Sequence, residues 1–338
     1  MSYYRADGDW HGMANAYHLL AMSYHQEGNS EKSLEFFALA IQIIGTRDAP
    51  FLLGKTYSDM SGAYWFLRRP QDGIDCLEKS INFFERTEHK VQSIAAYNNL
   101  GINLTLLGEW ERAEVVIKQA LELAIEVKHA HVAGILDSLG ELKLMRGELE
   151  EAQDLLEQGV ALAEEQKKEW YAIQAMRNLA RCLLAQGKLA EAKETAQETL
   201  AICQKMSESQ IANMASIVLA EVHLEQGNFS ECESRLAAIE ETNPTTDFFV
   251  LGNIQLIRGL LALKEADKDL AVHHFSRSLT IFETADDLYH TALVHYLIGK
   301  TLGETQPEKM KHLIKRKFLT LGAQRRKDAK IFKVKKQR

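Results

Sequence analysis

One unit of about 40 residues repeats along this chain of 338 residues. Three tyrosines stand 40 positions apart, at Tyr17, Tyr57 and Tyr97. A turn signal recurs with the same period, as Gly28, Gly108, Gly147, Gly187 and Gly227, and more weakly as Arg68, Ala266 and Gln306. A fixed period of this length is typical of a solenoid, in which each repeat stacks only on its neighbours. The chain therefore need not divide into separate globular domains.

Each repeat contains two amphipathic segments, which we call helix A and helix B. In repeat three, helix A reads VQSIAAYNNLGINLTLL and helix B reads EWERAEVVIKQALELAIEV, and both carry apolar residues at the helical period. None of the four prolines interrupts a predicted helix: Pro50 and Pro244 fall between repeats, and Pro70 and Pro307 fall just after the A–B turn. The sequence predicts an all-α chain of about eight antiparallel helix pairs.

Small residues mark two fixed positions in the repeat. Seven residues before the turn, all eight repeats have a small residue, namely Ala21, Ser61, Gly101, Gly140, Ala180, Ala220, Gly259 and Gly299. Five residues after the turn, seven repeats have one, namely Ser33, Gly73, Ala113, Ala152, Ala192, Cys232 and Ala271, whereas repeat eight has Lys311. Small side chains at both positions predict a close approach of helices A and B.

This pattern resembles the tetratricopeptide repeat (TPR) over about residues 10–322. The matching motif residues are two Leu-Gly pairs, later tyrosines and helix B aromatics, at Leu100-Gly101, Leu139-Gly140, Tyr24, Tyr64, Phe37 and Phe275. The period near 40 resembles the long repeats of kinesin light chains, of maltose-regulator-like bacterial activators and of bacterial peptide-sensing regulators. The resemblance implies a right-handed α-solenoid, a TPR superhelix, over residues 1–322. A HEAT array has a similar period, but it lacks the Leu-Gly pairs and the paired small positions.

In such solenoids, helices A line a concave groove that binds a peptide or a protein segment. The predicted groove positions include those three and two residues before the small residue of helix A and one residue after it. They give the candidate binding residues Asn98, Asn99, Asp137, Ser138, Glu141, Arg177, Asn178 and Arg181. Asparagine amides can hydrogen-bond a peptide backbone, and Arg177 and Arg181, one helical turn apart, can grip a carboxylate. For any single residue, an exposed polar side chain without a binding role is an equal alternative.

No catalytic or cofactor motif is present. The sequence lacks GxSxG, GxxxxGK[ST], HExxH and GxGxxG, so we expect neither enzyme activity nor a cofactor. The four cysteines form no CxxC pair, and neighbours such as His273 and His274 do not share a helix face, so we expect no metal site. No apolar run reaches roughly 18 residues, and the N-terminus lacks a signal-peptide pattern. We expect a cytoplasmic protein that does not contact membranes.

Basic residues are concentrated at the C-terminal end. Residues 309–338 contain thirteen Lys or Arg and one acid, Asp328, which leaves 27 basic and 46 acidic residues before them. We interpret 323–338 as a basic tail or linker. Nucleic-acid binding through this tail is the alternative function, because basic segments bind phosphates electrostatically. The tail has no DNA-binding motif and a single aromatic residue, Phe332, which favours a solvated segment instead.

The first repeat begins without a preceding helix that would cover it. Its helix A carries Trp10, Met13 and Tyr17 on the side where an earlier repeat would stack. Exposed apolar ends of this kind favour a weak homodimer through the N-terminal repeat, or docking onto an upstream segment of a longer protein. A monomer is a nearly equal alternative. The resemblance to bacterial regulators implies a sensory or regulatory array within a signalling system.

Overall fold

A computed structural model describes residues 9–67, 69–87, 90–242, 247–285 and 287–303. Apart from a 3-10 turn at Lys90–Gln92, the regular structure of these residues is α-helical, and none of them lies in a strand. The fifteen helices are α1 (Trp10–Gln26), α2 (Ser30–Ile44), α3 (Pro50–Phe66), α4 (Pro70–Glu85), α5 (Ser93–Leu106), α6 (Trp110–Glu126), α7 (Val132–Arg146), α8 (Leu149–Glu165), α9 (Glu169–Ala185), α10 (Leu189–Met206), α11 (Ser209–Glu225), α12 (Phe229–Thr242), α13 (Phe248–Lys264), α14 (Lys268–Thr284) and α15 (Leu288–Thr301). Odd-numbered helices are the predicted helices A and even-numbered helices are the predicted helices B, so the all-α prediction is confirmed.

The helices belong to two compact lobes. The N-lobe is the described part of Met1–Thr105 with Trp110–His131, and the C-lobe is Leu106–Glu109 with the described part of Val132–Arg338. Within each lobe, helix A packs on helix B of the same repeat, and helix B packs on helix A of the next repeat. In the C-lobe, α7, α9, α11 and α13 also contact one another in sequence. The helices A of these four repeats therefore lie side by side.

Five of the A–B turns have a backbone conformation that glycine favours. The five turn glycines have φ between 70° and 78°, a region that side chains with a Cβ disfavour. Ala266 takes the same conformation with φ 65°. Helix α15 ends at Thr301 and Gly303 has φ 76°, three positions before the turn predicted at Gln306. Arg68 and Gln306 themselves lie outside the described residues.

The small positions lie where helices A and B touch, as predicted. All eight small residues of helices A and the seven of helices B are buried. A Cβ added to Gly140 would lie 2.6 Å from Cγ of Leu156, and one added to Gly101 would collide with Ile117. In each case the facing helix B residue is large. The glycine therefore leaves room for a bulky neighbour, which is the ridge-into-groove contact that the pattern predicted.

One buried hydrogen bond between helices A and B recurs in both lobes. Ser80 Oγ donates to the Gly54 carbonyl at 2.7 Å in the N-lobe, and Ser278 Oγ donates to the Gly252 carbonyl at 2.8 Å in the C-lobe. Both serines are fully buried. These bonds satisfy hydroxyl groups that would otherwise be costly to bury, and they show that the A–B geometry repeats along the chain.

The four cysteines pack inside the fold. All four are buried and none is in a disulfide. Burial raises the pKa of Cys76, Cys182 and Cys232 to about 11, and it also raises the pKa of Cys203. Thiols with such pKa values are poor nucleophiles and poor metal ligands at neutral pH.

The N-terminal helix is more covered than the sequence suggested. Trp10 packs against a buried cluster that includes Ala14, Ile44 and Leu52, and the Arg47 guanidinium lies 5.2 Å from the centre of a Trp10 ring. Lys311, the boundary at 322/323 and the basic tail at 323–338 lie outside the described residues. None of the helices in the described ranges is long and apolar enough to span a bilayer.

Candidate functional site

The eight predicted binding residues lie on three helices A. Asn98 and Asn99 are on α5 in the N-lobe. The other six lie in the C-lobe, on α7 and α9: Asp137, Ser138, Glu141, Arg177, Asn178 and Arg181. The two sets are therefore described separately.

The two N-lobe asparagines differ in environment. Asn99 is exposed, and its backbone carbonyl accepts a 2.8 Å hydrogen bond from Asn103 Nδ2. Asn98 is half-buried, and its Oδ1 is a buried acceptor without a hydrogen-bond partner among the described residues. Of the two, Asn99 therefore offers its amide to solvent.

In the C-lobe, Asp137 and Asn178 form a buried pair between neighbouring helices A. Asn178 Nδ2 donates to Asp137 Oδ1 at 2.8 Å. Asn178 is fully buried, and Asp137 is 9% exposed. Ser138 is buried too, and its hydroxyl donates to the Gly134 carbonyl of its own helix. The sequence predicted a groove wall for these three residues, but all three are buried, and Asp137 and Asn178 contact each other between α7 and α9.

The reason for this burial is the stacking of successive helices A. Asp137 stands three residues before the small position of its repeat, and Asn178 stands two residues before that of the next. The same two register positions meet in the N-lobe, where His18 Nε2 lies 3.0 Å from Asp59 Oδ2. His18 is also buried, and its Nδ1 lies 3.3 Å from Thr56 Oγ1. These positions are contacts between adjacent helices A.

Partly exposed charges lie beside the buried pair. Arg181 Nη1 donates to Glu141 Oε1 at 3.0 Å and to Asn178 Oδ1 at 2.9 Å. Arg177 Nη2 lies 3.9 Å from the other carboxylate oxygen of Glu141. The side chains of Arg177 and Arg181 are 20% and 21% exposed, and that of Glu141 is 33% exposed. Arg181 thus joins a surface ion pair to the buried hydrogen bond of Asn178.

The two carboxyl groups of α7 respond oppositely to this environment. Burial raises the pKa of Asp137 to about 6; Glu141 adds to this effect, while Arg177, Asn178 and Arg181 oppose it. Burial also opposes ionisation of Glu141, but Arg177 and Arg181 outweigh it, so its pKa falls below the ordinary value. Glu141 is therefore ionised at neutral pH, whereas a substantial fraction of Asp137 holds its proton below about pH 6.

A further acid, Glu221 on α11, is not among the residues predicted from the sequence. It stands one residue after the small position of its repeat, as Glu141 and Arg181 do in theirs. Burial raises its pKa to about 7, Glu225 acts in the same direction, and Arg181 opposes both. Extending the predicted register from repeats four and five into repeat six would have identified this residue. We call Glu141, Arg177, Arg181 and Glu221 the charged row.

The charged row offers hydrogen bonds and charge but no metal centre. Among the described residues, no group of three or more His, Cys, Asp and Glu side chains is arranged to hold a metal ion. Guanidinium and carboxylate groups on neighbouring helices can bind the polar backbone and the charged ends of an extended chain.

Comparisons of sequence and structure agree with the helix-pair architecture. The family model for the MalT-like TPR region matches residues 68–316, and a tetratricopeptide repeat model matches residues 14–46. No curated protein sequence matches the chain.

Several solved structures share the fold. The apo form of RapI is 14% identical, with a TM-score of 0.68 over 80% of this chain and 97% of that one. A Rap protein complexed with competence and sporulation factor is 14% identical, with a TM-score of 0.66 over 98% of each chain. The Rap conjugation gene regulator of plasmid pLS20, in complex with the Phr* peptide, is 18% identical, with a TM-score of 0.65 over 86% of this chain and 76% of that one.

At these identities the structural likeness establishes the fold alone. The family match is more specific, because one model covers well over half of the sequence and spans both lobes. The repeat period, the buried small positions and this match agree, and the chain belongs to the family of MalT-like TPR regions.

Proposed function

We propose that this chain is a protein-interaction array that binds a peptide or an extended protein segment along the helices A of its C-lobe. The observation that carries the proposal is the charged row, in which partly exposed charges from α7, α9 and α11 lie beside one another. An extended peptide presents donors and acceptors along its length, and side chains from successive helices can meet them in turn. No enzymatic step is needed for this role.

The buried layer beneath the row supports a binding role. The amide of Asn178 donates a hydrogen bond to Asp137 through Nδ2 and accepts one from Arg181 at Oδ1. The guanidinium of Arg181 is therefore oriented before any ligand arrives. Fixing a long side chain in advance lowers the entropy lost on binding.

The structural neighbours supply a second line of support. Two of them were solved with a bound factor or peptide, namely a Rap protein with competence and sporulation factor and the pLS20 regulator with the Phr* peptide. We extend peptide binding to this chain by analogy of fold. We further propose that it serves as the sensory or regulatory array of a bacterial signalling system.

Affinity selection with a random heptapeptide pool tests the proposal. The full chain is incubated with the pool, retained peptides are identified by mass spectrometry, and the most enriched are titrated calorimetrically. Arg181→Gln should weaken their binding roughly tenfold or more, because hydrogen bonds to charged groups contribute about 1.5–3 kcal/mol. Arg277→Gln, on the exposed face of α14, is the matched control and should leave binding unchanged. Equal effects of both substitutions would reject the assignment of the binding site to the helices A.

We also propose weak self-association through α1. Leu19 is 66% exposed and Leu20 is 37% exposed, so this helix presents apolar surface to solvent. Light scattering over a concentration series should show a rising mass that Leu19→Glu abolishes. Val115→Glu, at another exposed apolar position, should not change it. A constant monomer mass at high concentration would exclude the dimer.

A further inference from the structure

The carboxylate of Glu141 is shared by two arginines, and neither interaction uses its full capacity. Arg181 reaches Oε1 with one nitrogen at 3.0 Å, and Arg177 lies 3.9 Å from Oε2, beyond ordinary hydrogen-bond distance. Two parallel hydrogen bonds from one guanidinium to a carboxylate would be stronger. The two guanidinium groups therefore retain donors for a further acceptor.

Arg177 has such a donor in a buried position. Its Nε is buried and has no hydrogen-bond partner among the described residues. A buried donor without an acceptor costs about 1–3 kcal/mol, so an acceptor that enters at this point gains a favourable contact. Arg177 Nε thus has room for an acceptor that the described residues do not supply.

The charges around the two arginines nearly balance at neutral pH. Arg177 and Arg181 carry full positive charge, and Glu141 is ionised because both of them lower its pKa. Burial raises the pKa of Asp137 to about 6 and that of Glu221 to about 7, so at pH 7 Asp137 is mostly ionised and Glu221 is about half ionised. An anionic group of a ligand can therefore take the place of Glu141 beside the two arginines, but it would not be bound in addition to Glu141.

We propose that Arg177 and Arg181 bind a carboxylate of the ligand, which takes the place of Glu141 between them. This inference rests on the proposed function, because it names the chemical group that the peptide-binding surface recognises. Glu141 acts as an internal competitor that occupies the arginines until the ligand arrives. Its side chain is one-third exposed, so it can turn to solvent when it is displaced. The ligand carboxylate is either a peptide C-terminus or the side chain of Asp or Glu.

Affinity selection on the full chain with two heptapeptide pools tests the inference. The pools have identical random composition, but the peptides of one have free C-terminal carboxylates and those of the other are amidated. Enrichment confined to the free-acid pool indicates a terminal carboxylate. Enrichment of Asp or Glu at one position in both pools indicates an acidic side chain. Either result supports the inference. Retention of both pools without preference for acids would overturn it and leave the proposed function standing, whereas retention of neither pool would reject the proposed function as well.

Substitution of the competitor gives the sharper test. Glu141→Gln should tighten binding of acid-bearing peptides by about two- to fivefold, because a partly exposed ion pair contributes up to about 1 kcal/mol. It should not tighten the binding of uncharged peptides, because these have no carboxylate to take the place of Glu141. Arg181→Lys, which keeps the charge but loses the planar fork, should weaken acid-bearing peptides alone, provided that thermal unfolding shows both variants to be folded. The opposite outcome is that the parent chain selects Lys- or Arg-rich peptides and that Glu141→Gln binds them more weakly. This result would show that Glu141 itself is the recognition group and would overturn the inference.

Discussion

Asn178 on α9 donates a 2.8 Å hydrogen bond to Asp137 on α7, at two positions that are 41 residues apart and belong to successive repeats. The bond joins adjacent helices A inside the C-lobe, and Arg181 donates to the same asparagine from the charged row. This pair thus connects the packing of the solenoid to the surface that we propose as its binding site.

Removal of the Asn178 amide should destabilise the C-lobe. Asn178→Ala leaves buried Asp137 without its donor, which should cost about 1–3 kcal/mol. Asn99→Ala is the matched control, because Asn99 occupies the same register position in repeat three but is exposed, and its loss should cost less than about 0.5 kcal/mol. Urea unfolding followed by circular dichroism measures both. Equal shifts in the midpoint would contradict the assignment of Asn178 to the interior.

Gly140 and Leu156 should show strong energetic coupling. Gly140→Ala places a methyl group against the Leu156 side chain and should cost about 1–3 kcal/mol. In the next repeat the corresponding positions are Ala180 and Ala196, which pack in one buried cluster. The double variant Gly140→Ala/Leu156→Ala should therefore lose less stability than the sum of the single variants. If the losses in free energy of unfolding are additive, the contact between Gly140 and Leu156 does not restrict which residues these two positions accept.

Ala266 should gain stability when it is replaced by glycine. It has φ 65° at a turn where five other repeats have glycine with φ of 70° to 78°. Ala266→Gly relieves left-handed strain and should stabilise the chain by about 0.5–1 kcal/mol. Gly227→Ala, at a turn with no atom within 4 Å of the added Cβ, should destabilise it by a similar amount. Thermal unfolding of the two variants should shift in opposite directions.

Stability should decrease as the pH rises through the titration range of Asp137. Its folded-state pKa of about 6 exceeds the ordinary value of 3.8, so the folded chain holds this proton while the unfolded chain releases it. The resulting penalty is absent below about pH 4, grows as the pH rises, and reaches about 3 kcal/mol above pH 6. Asp137→Asn keeps an oxygen that can accept from Asn178 and should remove this part of the pH dependence. Urea midpoints of the parent chain and of Asp137→Asn are measured between pH 4 and pH 8. The midpoint of the variant should exceed that of the parent by a margin that grows as the pH rises. A constant difference between the two midpoints would contradict the raised pKa of Asp137.

Local features of the chain were predictable because they depend on one repeat at a time. The turn glycines and the small positions follow from backbone conformation and from the contact of one helix A with its own helix B. Gly28, Gly140 and Ala180 thus fall where the sequence pattern placed them. The early end of α15 is a small departure, caused by a glycine at position 303 that can end the helix three residues sooner.

The open surface of helices A was harder to predict. Asp137 and Glu141 are one helical turn apart, yet one packs against α9 and the other is one-third exposed. That difference depends on how each helix A rotates against the next, and no single repeat specifies the rotation. The pairing of Asp137 with Asn178 is likewise a property of two repeats together.

Photo-cross-linking of bound peptide shows directly whether ligands lie along the helices A of the C-lobe. A benzophenone amino acid is placed at Gln174, which shares a face of α9 with Arg177 and Arg181, or at exposed Glu194 on helix B α10. Each full-length variant is irradiated with a biotinylated random heptapeptide pool, with and without excess unlabelled pool. We expect cross-links at position 174 that unlabelled peptide suppresses, and none above background at position 194. Equal labelling of both positions, or labelling of position 194 alone, would contradict peptide binding along the helices A of the C-lobe.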